Sequence, residues 1–437
     1  MTGIFERSRN AREQGSEVTM QDPKPTHPPS RRARRSLSTV LIAAAPLAVL
    51  LFLGGCSNNA FIAVPPDSAA FLERRVVQEN DEVRIAAAVP DAAETEALTG
   101  LPLYSQGIQP VWLEVTNTGS SGLRLLIASI DRDYYSSLEV AWMNRSGYSD
   151  EGKSDMERWF YENSIDRRIP PGESRSGLVY THLTPGTKGF NVDVVAADLD
   201  SHSFTFFVPI PGFTADYMEV DFAGLYGPQE IETLSVDALR EKIRDEQCCA
   251  TDETGTKQGD PFNVVIVAAP LALRRALLRA GWHETAAGSA ETAIARLQRY
   301  RGRQPDGTFT KSRPDGAERK ELRLWLAPAT NGGEPMWLGQ VVYNYGHAGD
   351  DTDDLRVDPD IDEARDYFLQ DLWYGQSVRQ AVYARAFDAV PESDPVMTFS
   401  GSSYFSSGHC AVVWLSEEPV AMDEVHLLGW WTEEELE

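Results

Sequence analysis

Histidines, carboxylates, serines and cysteines gather in a few places where they could do chemistry. His347 stands among Asp350, Asp351, Asp353, Asp354 and Asp358, an oxygen-rich set of the kind that holds a hard cation. It has neither the glycine turn nor the closing glutamate of an EF-hand loop, so a solvated acidic loop leading into a helix is the preferred reading. His283-Glu284 has no second histidine at the spacing of a zinc-protease helix, and beside Gly281-Trp282 it reads as a surface histidine. Ser400, Ser402, Ser403, Ser406 and Ser407 precede His409 without a Gly-x-Ser-x-Gly elbow, which makes them a serine-rich turn rather than nucleophiles. Gly255-Thr256-Lys257 lacks the spaced glycines of a phosphate loop. No catalytic, cofactor-binding or metal-binding residue is assigned, no cofactor is expected, and the balance is against an enzyme. Cys248, Cys249 and Cys410 leave three arrangements open: a bridge from one of the neighbours to Cys410, a vicinal bond, or none. No Cys-x-x-Cys supports a zinc or redox site.

The fourth cysteine has a different setting. Arg31, Arg32, Arg34 and Arg35 are followed by an apolar run from Leu37 to Leu53, then Gly54, Gly55 and Cys56. A basic segment, an apolar segment and small residues at a break point make a secretory signal. The ending resembles the lipobox of bacterial lipoproteins, in which the cysteine is acylated and becomes the new N-terminus. That resemblance implies lipid attachment at Cys56, and several acyl chains hold a soluble protein on a bilayer because each buried methylene adds about 0.8 kcal/mol. The competing readings are an uncleaved membrane anchor, since the run is nearly long enough to span, and a twin-arginine signal over Ser30 to Leu37. Ser57 stands where an aspartate would signal inner-membrane retention, which favours the outer membrane. Residues 1–30 are polar and unpatterned, and Met20 is an alternative start.

The 437 residues carry a formal net charge of −26, and the part after Cys56 is more acidic still, because basic residues outnumber acidic ones before it. This excludes nucleic acid, whose phosphates demand clustered Lys and Arg. It also opposes an electrostatic grip on anionic lipid, so attachment must be covalent.

The elements that would position these groups divide the chain into a leader (1–55), a lipidated tether (56–70), a β-sandwich (71–213), an acidic connector (214–261) and a C-terminal α+β part (262–437). The fold class is therefore mixed: an all-β, immunoglobulin-like sandwich followed by a mainly antiparallel sheet with helices. In the first part Val111, Leu113 and Val115 alternate with Trp112, Glu114 and Thr116, and Phe190, Val192 and Val194 share a face, as do Phe204, Phe206 and Val208. Strands are also expected over Leu123 to Ile127, Leu138 to Trp142 and Ser174 to Leu183. One helix is expected, with Ser154 and Glu157 as its capping box. Ser235 caps a helix in the connector. In the last part the pattern predicts strands over Asn263 to Ala268, Glu321 to Ala327, Met336 to Tyr345, Gln380 to Phe387 and His409 to Leu415. Helices are predicted over Leu271 to Ala280 and Thr292 to Tyr300, and another is capped by Asp358 with Pro359 at its first position. Arg301 to Arg319 reads as an exposed basic loop, and the helices as lying on one face of the sheet.

This last part resembles the C-terminal domain of LssY-type membrane proteins. The matching residues are Gly259-Asp260-Pro261-Phe262-Asn263-Val264-Val265, Ala280-Gly281-Trp282, Trp337-Leu338-Gly339-Gln340 and the run from Asp358 to Tyr367, with Cys248-Cys249 upstream. The resemblance covers about Cys248 to Trp431. LssY-type proteins often carry membrane-embedded domains like lipid phosphatases and DedA proteins, which this chain lacks. The resemblance therefore implies no phosphatase activity and no catalytic residues. The expected function is a non-catalytic, lipid-anchored cell-envelope protein with a binding or assembly role. The alternative is an enzyme or regulatory subunit acting on an envelope lipid or glycan. The expected partner is the membrane, through the lipid. An envelope protein partner stays open, and Trp430-Trp431 would be one contact if not core.

Overall fold

The computed structural model describes residues 59–184, 186–197, 200–288, 295–312, 318–345 and 356–430. The leader with Cys56, His347 with the aspartates from Asp350 to Asp354, and Trp431 lie outside those residues.

The N-terminal region contains β1 (Val76–Glu79), β2 (Val83–Ala88), α1 (Ala92–Thr99), β3 (Ile108–Asn117), β4 (Leu123–Leu126), α2 (Ser137–Asn144), α3 (Asp150–Glu162), β5 (Arg168–Ile169), β6 (Ser174–His182), β7 (Lys188–Ala196) and β8 (Ser201–Val208). The strands form two four-stranded antiparallel sheets, in the orders β1-β2-β3-β6 and β5-β4-β7-β8. Because side chains alternate along a strand, Val111, Leu113 and Val115 enter one core with Phe190, Val192, Val194, Phe204 and Phe206. The opposite face of the first sheet is also covered. Ile108, Trp112, Leu178 and Tyr180 pack beneath α1, α2 and α3 against Val140, Met156 and Phe160. Trp112, expected on the polar side, is only 4% exposed for that reason.

The region thus carries three helices where one was expected. Leu138 to Trp142 belongs to α2 and not to a strand. The Ser136 hydroxyl accepts from the Glu139 amide and the Glu139 carboxylate accepts from the Ser136 amide, a capping box that outweighs the apparent alternation. α3 starts at Ser149, whose hydroxyl accepts from the Gly152 amide, so Ser154 lies inside the helix. Upstream, the stretch expected as a tether is packed from Asn59 onward. Asn59 bridges to Tyr148, and the Phe61 ring meets Tyr148, Trp159 and Phe160 at 6.2 Å.

The C-terminal region contains β9 (Glu232–Leu234), α4 (Val236–Asp245), β10 (Cys249–Thr251), β11 (Gln258–Pro261), β12 (Val264–Val267), α5 (Pro270–Arg279), β13 (His283–Glu284), β14 (Gly307–Ser312), β15 (Glu318–Asn331), β16 (Glu334–Tyr345), β17 (Arg356–Val357), α6 (Ile361–Tyr374), β18 (Val378–Arg385), β19 (Val396–Met397), β20 (Ser403–Tyr404), β21 (His409–Leu415) and β22 (His426–Leu427). Ten strands form one sheet with the path β13-β14-β15-β16-β12-β21-β18-β22, and β17 and β9 join at β16 and β15. Most pairs are antiparallel, whereas β12–β21, β15–β9 and β18–β22 run parallel.

Both faces of this sheet are buried. α5 and α6 cover Val264, Ile266, Leu322, Leu324, Trp337 and Val413. Leu239 and Ile243 of α4, with Tyr300 and Trp430, cover Val265, Val267, Trp325, Leu338 and Trp414. Helices therefore lie on two faces, not one, and β12 is apolar throughout because neither side meets water. The basic stretch is not a loop along its length: Gly307–Ser312 is β14, paired with Arg319 through Leu324. The helix expected to Tyr300 falls partly outside the described residues. Its described end is a single tight turn, Ala295–Leu297, followed by extended Arg299 and Tyr300.

Candidate functional site

The residues of the Gly259-Asp260 motif converge on a buried charge centre. Alternation along β15 puts Arg319, Glu321 and Arg323 on one face, and the register sets Arg323 opposite Gln340 of β16. Arg323, 2% exposed, bonds the Asp260 carboxylate at 2.8 Å through Nη1 and the Glu321 carboxylate at 2.7 Å through Nε. Asp260 also accepts from Gln298 at 3.2 Å and Ser402 at 3.3 Å, while Gln340 donates to the Asp260 carbonyl at 2.5 Å. Burial works against the charge on Arg323, but Glu321 and Asp260 overcome it and raise the guanidinium pKa. Gly259 sits at a close approach: a Cβ there would meet Gln298 Oε1 at 2.1 Å and the Phe399 ring at 2.9 Å, so the Gln298 amide would have to leave its bond to Asp260. Each charge is met by an opposite one, so the cluster locks β11 onto β15 and β16. Breaking one partner in such a set costs about 3–5 kcal/mol.

The Asp358–Tyr367 motif serves a junction of the same kind. Asp360, not Asp358, caps α6, accepting from the Asp362 and Glu363 amides at 3.1 Å. Asp358 instead accepts from the Asp360 amide, and its own amide bonds the Tyr343 carbonyl. Asp362 accepts from the Ser406 hydroxyl and the Ser407 amide, which, despite burial, hold its carboxyl below the usual range. Arg365 bonds Asp362, Asp366 and the His409 carbonyl. Asn263 ties β12 to the Val341 amide and carbonyl and to the Ile361 carbonyl.

The serine-rich turn holds itself together, with Thr398, Ser400 and Ser402 hydroxyls within 3.0 Å of one another. Gly255-Thr256-Lys257 closes the β10–β11 hairpin, where Asp252 accepts from the Thr256 and Lys257 amides. Cys248 and Cys249 form a vicinal disulfide. Cys410 is a free, fully buried thiol whose pKa burial pushes up to about 12, so it is neither nucleophile nor ligand at neutral pH. Trp430 packs on Trp414, its ring centroid 6.2 Å away, and is core.

His283 is not a surface histidine. It lines a narrow cleft of about 20 Å³ with Thr184, Phe207, Arg274, Trp282 and Glu284, where α5 meets β7 and β8. Burial, with Lys188 and Lys311 nearby, lowers its pKa, leaving a neutral imidazole. Glu284 accepts from Arg274 at 2.8 Å and from the Tyr217 hydroxyl. Lys188 is buried, donates to the His182 carbonyl at 2.6 Å and Thr184 Oγ1 at 3.0 Å, and is pushed down to about 8 by burial. Neither Lys188 nor the Arg323 centre is marked in the sequence by more than period-two spacing, since lysine and arginine in a strand are normally taken as solvent-facing.

The stretch that contains the charge centre and the α6 junction decides the relationship. Residues 240–409 match the LssY C-terminus. This LssY-like region begins inside α4 and ends at the first residue of β21, somewhat N-terminal to the span the resemblance suggested. No curated protein matches the chain. Among solved structures, the crystal structure of a yeast GGA1 GAE domain is similar at 9% identity, over 31% of this chain and 99% of that one, with a TM-score of 0.16. A likeness that slight carries no argument.

Proposed function

We propose that this chain is a lipid-anchored cell-envelope protein, acylated at Cys56, with a binding or assembly role. The observation that carries the reading is the short path from Cys56 to folded structure. Asn59 is already hydrogen-bonded to Ser149, and Phe61 shares a core with α2 and α3. Three residues span at most about 11 Å, so a lipid on Cys56 would hold the α2–α3 layer against the bilayer. That layer exposes Leu138, Trp142 and Met143 on α2, Tyr161 on α3 and Ile62 before them, with Trp142 at 64% and Ile62 at 78%. Aromatic and aliphatic side chains of this kind suit a membrane interface. The LssY-like region then faces away from the lipid, available to a partner.

The test is metabolic labelling with an alkyne fatty acid. Wild type should carry label and fractionate with membranes, and Cys56→Ala should carry none and retain its leader. For orientation, a polarity-sensitive dye on Trp142→Cys should shift to the blue in the membrane-bound protein, whereas the same dye on Met397→Cys should not. An unlabelled wild type with its leader attached would overturn the anchor. Equal dye responses would overturn the orientation. A second reading, an enzyme or regulator acting on an envelope lipid or glycan, draws support from the shifted His283 in its cleft and the shifted, buried Lys188 close enough to act on it. Unchanged function of a Lys188→Met, His283→Gln variant would remove that support.

A further inference from the structure

β6 is the last strand of its sheet, and a small open cleft of about 90 Å³ lies along it between residues 134–137 and 164–167. Two backbone bonds pin its walls to the strand: the Tyr135 amide donates to the Tyr180 carbonyl at 2.9 Å and the Ile165 amide to the Leu178 carbonyl at 3.3 Å. The second wall is so close that a Cβ on Gly177 would meet the Ile165 amide nitrogen at 2.4 Å, which accounts for the glycine. The shape is therefore set by the fold.

The lining is unlike the charge centre of the LssY-like region. Tyr134, Tyr135, Ser137, Ser164 and Arg167 bring two phenols, two hydroxyls and a guanidinium to one place, above the buried Tyr180. Tyr180 is 1% exposed, and its hydroxyl has no hydrogen-bond partner among the described residues. Buried polar atoms normally have one. Tyr135 is held from behind by the His182 ring, 4.8 Å away, and that imidazole is fixed on Asp131 at 3.0 Å. Ser164 spends its proton on the Phe160 carbonyl at 2.7 Å and keeps its lone pairs for an incoming donor. Arg167 meets Tyr134, its guanidinium 5.9 Å from the ring centroid and its Nη2 donating to the Tyr134 hydroxyl at 3.5 Å, and no carboxylate pairs with it among the described residues.

We infer that this cleft binds an acidic saccharide. Rigid phenol rings offer apolar faces for the C–H surface of a sugar ring and polar tips for its hydroxyls. Serine oxygens accept from those hydroxyls, and the unpaired guanidinium matches a carboxylate in a two-bond fork. The site stands independently of the lipid anchor.

The experiment is calorimetric titration of the full-length mature protein in detergent with tri-galacturonic acid, alongside neutral cellotriose and sodium acetate. Tri-galacturonic acid should bind with a sub-millimolar Kd, cellotriose more weakly, and acetate not measurably. Arg167→Ala and Tyr134→Ala should each weaken binding about tenfold or more with an unchanged melting temperature, and Arg167→Lys should recover only part of the loss. Cys56→Ala should bind as wild type does, so failure of the anchor and failure of the site are separable. Absence of tri-galacturonic acid binding, an Arg167→Ala variant that binds normally, or acetate binding as tightly as the saccharide would overturn the inference.

Discussion

β7 of the sandwich and β12 of the LssY-like region show two ways of using a strand. β7 alternates buried and half-buried residues from Lys188 to Ala196, whereas all four residues of β12 are buried. One sheet of the sandwich has a single covered face, and the ten-stranded sheet has two. Charge follows the same division. In the LssY-like region Arg319 and Arg323 neutralise Glu321 and Asp260 inside the fold. In the sandwich Arg167 stays at the surface beside a cleft, and the buried cation, Lys188, has carbonyl and hydroxyl oxygens for partners instead of a carboxylate. A paired centre secures register between strands. A surface cation beside an open cleft is free to meet something else.

The comparison can be broken by mutation. Arg323→Met leaves Asp260 buried without a counterion and Glu321 with Arg319 alone, and should lose about 3–5 kcal/mol in denaturant unfolding. The combined Asp260→Asn, Glu321→Gln, Arg323→Met variant should lose less than Arg323→Met alone. A loss below about 1 kcal/mol for the single variant would mean that the centre is not structural.

Lys188 gives the next effect, and its sign is set by linkage. Its folded pKa, about 8, lies below the unfolded value, so between these values the unfolded chain binds more protons and stability rises with pH. Stability should climb from pH 8 to pH 10.5 by as much as about 3 kcal/mol, and Lys188→Met should abolish that rise. Asp360→Ala should cost about 1 kcal/mol through the lost cap of α6, and Asp358→Ala less. Arg167→Ala should change stability by no more than about 0.5 kcal/mol, the smallest effect and the sharpest contrast with Arg323.

Much of the fold was legible because burial imposes a period. His409–Leu415 was readable to the residue, since a strand covered on both faces is a continuous apolar run. The sandwich strands were legible from alternation. The failures have physical causes. Leu138 to Trp142 alternates like a strand, but the reciprocal bonds of Ser136 and Glu139 commit it to a helix. At Glu318-Arg319 charge suggested a loop, because pairing with β14 and β16 is invisible along the chain, as is the neutralisation of these charges by partners two residues away in β15. Asp358 and Asp360 are equivalent as sequence, and only the path of the backbone from β17 selects the second as cap. Cysteine spacing could not choose among pairings, and the vicinal bond emerged only from the structure. Of the sites, the motif residues were visible as a resemblance but their structural task was not. The sandwich cleft left no trace, because tyrosines and serines in turns are unremarkable until a sheet edge gathers them.

The most direct test of the account is the intact mass of the protein extracted from envelopes. A species beginning at Cys56, heavier than its polypeptide by the mass of attached acyl groups, is the predicted result. A chain that still carries residues 1–55 with an unmodified Cys56 would contradict it.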